Sequence, residues 1–136
     1  MGDDIRQPLA AYGGSVRLSA IEQALSLICL APPAKDLEVD TGFASDVLSE
    51  VLARAPQGCI LVTAQSSVNV IAVASQAEIA GVIVTSCHEP GMEVVMRARE
   101  GRIALYATPL ETFDVIGRLS QLGLKGRIQP RRSGHH

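Results

Sequence analysis

The chain of 136 residues has no tryptophan, only two tyrosines and two phenylalanines, and three cysteines. With aromatics at 3%, the core has to be filled by Val, Ile, Leu and Ala, which is the usual filling of a parallel sheet covered by helices. Cys29, Cys59 and Cys87 are far apart and form no CxxC pair. They argue against a disulfide frame and for reduced thiols, hence a cytoplasmic protein. No apolar run approaches the ~20 residues that span a bilayer, so no membrane partner is expected. Residues 1–20 also lack the uninterrupted apolar core of a secretory signal. Lysine is scarce: Lys35 and Lys125 are the two, and neither stands in a glycine-rich phosphate loop. With no Walker or Rossmann fingerprint either, an ATP-dependent enzyme is not expected.

What is present is a 47% apolar composition in a length that buries a core without staples, so a single domain is expected over residues 15–124. Residues 1–14, with Pro8 and Gly13-Gly14, read as a flexible leader. All 14 acidic residues precede Lys125, whereas Lys125, Arg127, Arg131 and Arg132 follow without an acid. This basic segment, 125–136, reads as a disordered tail. Nucleic acid is not an expected partner, because the acidic folded part repels a phosphate backbone.

Ser15 to Leu30 reads as the first organised piece, holding a helix that Ser19 can cap, with Glu22 completing the capping box and Ile21, Ala24, Leu25 and Ile28 on one face. Ala31-Pro32-Pro33 ends it. Leu37 to Thr41 alternates as a half-buried strand does, and Gly42 to Asp46 turns into a helix over about 47–55, capped by Ser45 or Asp46. Three strand–helix units follow: strand 59–63 with helix 68–78, strand 82–85 with helix 91–100, and strand 103–107 with helix 109–122. Gly101 suits the left-handed position after the second of these helices. Thr108-Pro109-Leu110-Glu111 matches a capping box with proline at the first helical position. Strands joined by such crossovers run parallel, so a three-layer α/β domain with a mainly parallel sheet is expected.

The polar loops after the three strands then emerge at one end of the sheet, where open α/β folds bind ligands. Thr63, Gln65, Ser66, Thr85, Ser86, His88 and Thr108 are the candidates there, as hydroxyls and helix amino-termini able to hold a small anion or nucleotide. Cap formation alone also explains most of them. Cys87-His88-Glu89 has metal-capable side chains, but three adjacent residues rarely reach one ion, so no metal and no cofactor is expected. Helix 68–78 is apolar nearly all round, with Val68, Val70, Ile71 and Val73 pointing in several directions. That predicts a homo-oligomer, most simply a dimer, through this helix.

From about Glu38 to Leu122 the sequence resembles the DRTGG domain family. The features that carry the resemblance are Asp40-Thr41-Gly42, Ser45-Asp46-Val47-Leu48-Ser49, Thr63-Ala64-Gln65 before Asn69 to Ala74, Ile83-Val84-Thr85, Glu89-Pro90, and Thr108-Pro109 with Thr112-Phe113. Similar domains stand at the amino end of HPr kinase/phosphorylase, inside some phosphotransacetylases, beside CBS domains and alone. Where members often have glycines after the strand-ending threonine, this chain has Ser86-Cys87-His88, and Phe43 follows Gly42 in the name motif. The resemblance implies a fold like that of the HPr kinase N-terminal domain and adds Thr41 and Gly42 to the ligand-binding candidates. It also implies a non-catalytic regulatory or ligand-sensing module that acts by self-association or on a partner enzyme. The alternatives are a small-molecule enzyme using the strand-end loops, and a structural interaction domain without a ligand.

Overall fold

The computed structural model describes residues 14–127. In chain order the elements are β1 (Val16–Arg17), α1 (Leu18–Leu25), β2 (Ile28–Ala31), β3 (Glu38–Val39), β4 (Gly42–Ala44), α2 (Leu48–Arg54), β5 (Ile60–Thr63), α3 (Val68–Gln76), β6 (Gly81–Val84), α4 (Met92–Gly101), β7 (Ala104–Ala107) and α5 (Thr112–Gln121). β1 and β3 pair as a small antiparallel ribbon. The main sheet has the order β2-β7-β6-β5-β4, parallel from β4 to β7, with β2 antiparallel at the far edge.

Each crossover from β4 to β5 to β6 to β7 steps one strand in the same direction. Crossovers of one hand then place every connecting helix on one face. α2, α3 and α4 do share a face, where Val51, Val70, Ala74, Val95 and Ala98 pack with Leu61, Val82 and Leu105. α1 and α5 cover the other, where Leu18, Ile21, Val115 and Leu119 meet Ile60, Val62, Ile83 and Tyr106. Ile60 and Val62 face one core and Leu61 the other, the period of two in a strand buried on both sides. This is the expected three-layer α/β domain. Each fully buried Ile or Leu stabilises it by about 1.5–3 kcal/mol. The exposed pairs Glu50–Arg54 and Glu93–Arg97 contribute a few tenths each, so the layered core dominates. α1 also lies very close to the sheet: a Cβ on Gly81 would meet Ile60 Cδ1 at 3.0 Å and Leu18 Cδ2 at 3.4 Å.

Both edges of the sheet differ from the sequence expectation. Ile28 does not extend the first helix; that helix turns at Ser26, whose φ is 54°, and Ile28–Ala31 pairs antiparallel with β7. Gly42–Ala44, expected as a turn, is the other edge strand, in register with Ile60 to Val62. The single strand expected over 37–41 divides into β3 and a bridge from Thr41 to Lys125. Lys125 to Arg127, assigned by composition to the tail, therefore belong to the fold: the Gly42 amide donates to the Lys125 carbonyl and the Lys125 amide to that of Asp40. The leader up to residue 13 and the rest of the tail lie outside the described residues.

The helix starts also differ. α1 begins one residue before Ser19, and the carboxylate that caps it comes from the β2–β3 connection. Asp36 accepts the Ser19 amide at 2.9 Å and its hydroxyl at 2.6 Å. The Ser19 hydroxyl, then its amide, hold the Asp36 carboxyl below its usual range. Ser45 closes a turn on the Val47 amide at 3.0 Å and does not cap α2. Thr108 likewise closes a turn on the Leu110 amide at 3.1 Å, and α5 starts later, at Thr112, with Glu111 at its N-cap position. Pro109 thus sits in a turn before the helix. α4 runs through Gly101, and the left-handed residue after it is Arg102, with φ 57°.

α3 is clamped between α2 and α4, with Val70, Ile71 and Ala74 buried and Val68 and Val73 half-buried against the same core. Its water-facing residues are Asn69, Ala72, Ser75 and Gln76. The apolar surround that suggested an interface is satisfied within the domain, so α3 gives no ground for placing a dimer contact there.

Candidate functional site

Parallel strands β5, β6 and β7 end in line, and the residues that follow carry the ladder one step further. The Thr85 amide donates to the Thr63 carbonyl at 2.9 Å and the Thr108 amide to the Val84 carbonyl at 3.0 Å. Thr63, Thr85 and Thr108 are buried here, at 0%, 0% and 4% exposure, because their methyls close the end of the core while their hydroxyls reach the loops. Expected site residues therefore do gather, in two hydrogen-bonded groups.

The first group is built around Asp46. Its Oδ1 accepts the Thr63 hydroxyl at 3.0 Å and the Ala64 amide at 2.7 Å. The Gln65 amide donates to Thr63 Oγ1 at 3.0 Å, and the Gln65 side chain reaches the Asp46 carbonyl at 3.0 Å. Ser66 lies half-buried in the same loop. Asp46 is thus not a helix cap. It places a carboxylate on an amide that an incoming anion would need.

The second group lies over β6. Thr85 Oγ1 and Thr112 Oγ1 are 2.6 Å apart, and Thr85 Oγ1 is 3.4 Å from the Thr63 carbonyl. The Ser86 hydroxyl donates to Glu111 at 3.1 Å. Ser86 and Cys87 both have left-handed backbone, with φ of 62° and 61°. Their amides grip the next loop, Ser86 on the Leu110 carbonyl at 2.8 Å and Cys87 on that of Thr108 at 3.3 Å. Two successive non-glycine residues in this conformation cost about 1–2 kcal/mol each. The loop keeps a glycine-type backbone without the glycines.

Cys87, His88 and Glu89 are exposed at the rim of a hollow of about 190 Å³, which Ile28 and Pro109 also line. The His88 amide bonds the Thr85 carbonyl at 3.1 Å, closing the turn. Among the described residues no group of three or more His, Cys, Asp or Glu is placed to hold a metal ion. The loops that follow β4, β5, β6 and β7 and the first helical turns beyond them contain no Lys or Arg but carry Asp46, Glu50, Glu89, Glu93, Glu111 and Asp114. This end of the sheet is therefore acidic.

Thr41 and Gly42 lie elsewhere. They stand where β4 begins, opposite Ile60, so they are at the other end of the sheet from Thr63, Thr85 and Thr108. Thr41 Oγ1 donates to Asp40 at 2.8 Å and accepts from Arg127 Nη2 at 2.9 Å, while Arg127 also pairs with Asp40 at 3.4 Å. The Asp40-Thr41-Gly42 stretch thus anchors the segment that follows α5. Asp46, Glu111 and Thr112 are the site residues that sequence reasoning missed. The first two were visible as acids near helix starts, which led to their being read as caps.

No helix among the described residues is long and apolar enough to cross a membrane. No curated protein matches the chain. Among solved structures, the fold matches the CBS and DRTGG domains of the regulatory region of Clostridium perfringens pyrophosphatase, complexed with its activator diadenosine tetraphosphate. The TM-score is 0.63 at 19% identity, over 79% of this chain and 46% of that one, so the chain spans about half the length of that neighbour. At this identity the likeness speaks for the fold. The family model of the DRTGG domain matches residues 22–122, which takes in the second half of α1, every element from β2 to α5 and both hydroxyl groups at the strand ends, and so this chain belongs to the DRTGG domain family.

Proposed function

We propose that the chain is a non-catalytic regulatory module that senses a small polar ligand at the C-terminal ends of β5, β6 and β7. It passes the signal on by self-association or through a partner enzyme in the cytoplasm. The observation that carries this reading is the Thr85–Thr112–Ser86 hydroxyl group held beside the strained Ser86-Cys87 turn. Strain of this kind is kept where the surrounding structure holds it in place, and relief of it by a ligand gives the two-state bias that a sensor needs. The activator bound by the pyrophosphatase regulatory region makes nucleotides the first class to test. The acidic rim then sets an orientation. Asp46 already occupies the Ala64 amide, so base and sugar would face the hydroxyls and the phosphates would stay in solvent. Three free cysteines, two of them exposed, fit a reducing compartment.

The test is a thermal-shift panel of adenosine, adenine nucleotides, diadenosine tetraphosphate, acyl phosphates and inorganic phosphate. A ligand of the folded state raises the midpoint, by about 2.7 kcal/mol of added stability at a hundredfold excess over Kd. Adenosine and its nucleotides are expected to raise it and inorganic phosphate to leave it unchanged. A flat panel overturns ligand sensing and leaves an interaction domain. Turnover of a bound nucleotide overturns the non-catalytic assignment.

A further inference from the structure

Gly42 is unexplained by the packing of the chain itself. A glycine weakens a strand, and inside one it often marks the close approach of a ligand or another backbone. Its φ is not left-handed, and a Cβ there would have only Ile60 within 4 Å, nearest at Cγ2 and an ordinary 3.6 Å. What the missing side chain leaves is space. Gly42 and Ala44 are the residues that β4 turns toward α5, beside Ile60 and Val62, and a hollow of about 400 Å³ stays open between strand and helix. Ile116, Leu119 and Leu124 give it apolar walls and Ser120 a hydroxyl, and Lys125 is the one charged residue of the lining. Small-molecule sites have this make-up, at about 300–1,000 Å³ with a few placed polar groups. Unlike the strand ends, no carboxylate lines it.

The outer edge of β4 selects the occupant. The Ile60 amide donates to the Thr41 carbonyl at 3.0 Å and the Ser45 amide to the Val62 carbonyl at 3.2 Å. Gly42 and Ala44 therefore turn their backbone groups away from β5. At one end of this edge Lys125 is already in place, its carbonyl accepting the Gly42 amide at 3.1 Å. At the other, the turn of Ser45 onto the Val47 amide ends the strand. Between them the Gly42 carbonyl and the Ala44 amide have no partner among the described residues. One acceptor followed by one donor is too short an edge for an added peptide strand. It matches a flat heterocycle with an amino group beside an unprotonated ring nitrogen, as in adenine. The amine donates to Gly42 and the ring nitrogen accepts from Ala44. The apolar walls suit the faces of such a base, and the Lys125 ammonium suits a phosphate.

We propose that the slot between β4 and α5 is a second ligand site that takes an adenine nucleotide, its base on the Gly42 carbonyl and Ala44 amide and its phosphate on Lys125. The slot runs along the outer edge of β4, not over β6 and β7, and is independent of the strand-end reading.

Amide-resolved NMR of the full chain, titrated with AMP, tests it. The Ala44 amide proton is expected to move downfield, and Lys125 and Gly126 to shift along the same saturation curve. The dimethylamino analogue of AMP, which lacks the donor for Gly42, should bind at least about tenfold more weakly. Gly42→Val should weaken AMP by as much, because its methyls enter the hollow. Its thermal midpoint should be no lower than that of the wild type, since a β-branched residue favours a strand, so the loss cannot be ascribed to misfolding. Lys125→Glu should weaken AMP and leave adenosine almost unaffected. Amides of Gly42 to Ala44 and Leu124 to Gly126 that stay in place up to millimolar AMP overturn the proposal. So does an affinity unchanged both in Gly42→Val and with the dimethylamino analogue. Shifts confined to Thr85 to His88 and Thr112 would overturn it while upholding the strand-end site.

Discussion

Cys87→Gly is the substitution on which the reading of the strand-end loop depends most directly. Cys87 holds φ at 61°, where a residue with a Cβ is disfavoured by about 1–2 kcal/mol and glycine is not. Against this gain stands the greater freedom of glycine in the unfolded chain, about 0.5–1 kcal/mol. The Cys87 side chain is exposed and its backbone amide bond to Thr108 survives the change, so no large contact is lost. The net expectation is a stabilisation of about 0.5–1 kcal/mol, or a midpoint about 2–5 °C higher for a domain of this size. Urea unfolding should give a higher midpoint concentration at an unchanged m-value. Two companions separate strain from contact. Ser86→Gly relieves the same strain at φ 62° but loses the bond to Glu111, and should come out near neutral. His88→Gly has no positive φ to relieve and should destabilise. If Cys87→Gly leaves the urea midpoint unchanged or lowers it, the left-handed turn is not held in solution and the case for a strained sensor loop fails.

Tyr106 is 1% exposed and its hydroxyl has no hydrogen-bond partner among the described residues; burial, then the charges of Cys29, Glu22 and Asp36, drive its pKa far up. Because an unmet buried hydroxyl costs about 1–3 kcal/mol, Tyr106→Phe should be neutral or stabilising by up to about 1 kcal/mol, and a loss larger than that in urea unfolding would show that the hydroxyl is bonded. Native alkylation should label Cys87 first and leave Cys59 protected. Although Cys29 is exposed, burial of its thiol and the nearby Glu22 raise its pKa, so its labelling should lag at neutral pH and catch up only under alkaline conditions; equal rates at pH 7 would contradict this. Asp36, whose folded pKa is lowered, should contribute stability that is complete above about pH 4 and is lost as pH falls through its folded value. Asp36→Asn should flatten that part of the acid-unfolding curve, and an unaltered curve would remove Asp36 as the cap of α1.

The three crossover units were legible because each strand is a short apolar run ending in threonine and each helix repeats at helical spacing. The edges were not. Ile28 continues the stripe of Ile21 and Leu25 in sequence, and only pairing with β7, far along the chain, makes Ile28–Ala31 a strand. Gly42–Ala44 is too short to show alternation, and its partner Ile60 determines its conformation. The strand-end threonines were legible for the same reason as the strands. Thr41 was not, since its place depends on which way β4 enters the sheet. Asp46 and Glu111 show the limit of capping rules: sequence shows an acid near a helix start, but not the neighbouring loop whose amide or hydroxyl it faces.

The antiparallel placing of β2 has a consequence for the order in which the domain assembles. β4 to β7 are each joined to the next by a single helix, so their pairing closes short stretches of chain. β2 has to find β7 across most of the described sequence, and the entropy of that closure falls due before any contact rewards it. The parallel core is thus expected to condense first, with α1 and β2 docking onto a finished β7. Changes in α1 or β2 should then hasten unfolding while leaving refolding rates almost untouched, and changes in β5 or β6 should slow refolding. The bond from Arg99 Nε to the Leu30 carbonyl, at 3.0 Å, ties α4 to this late-arriving strand. It acts as the latch on the part of the sheet that opens first.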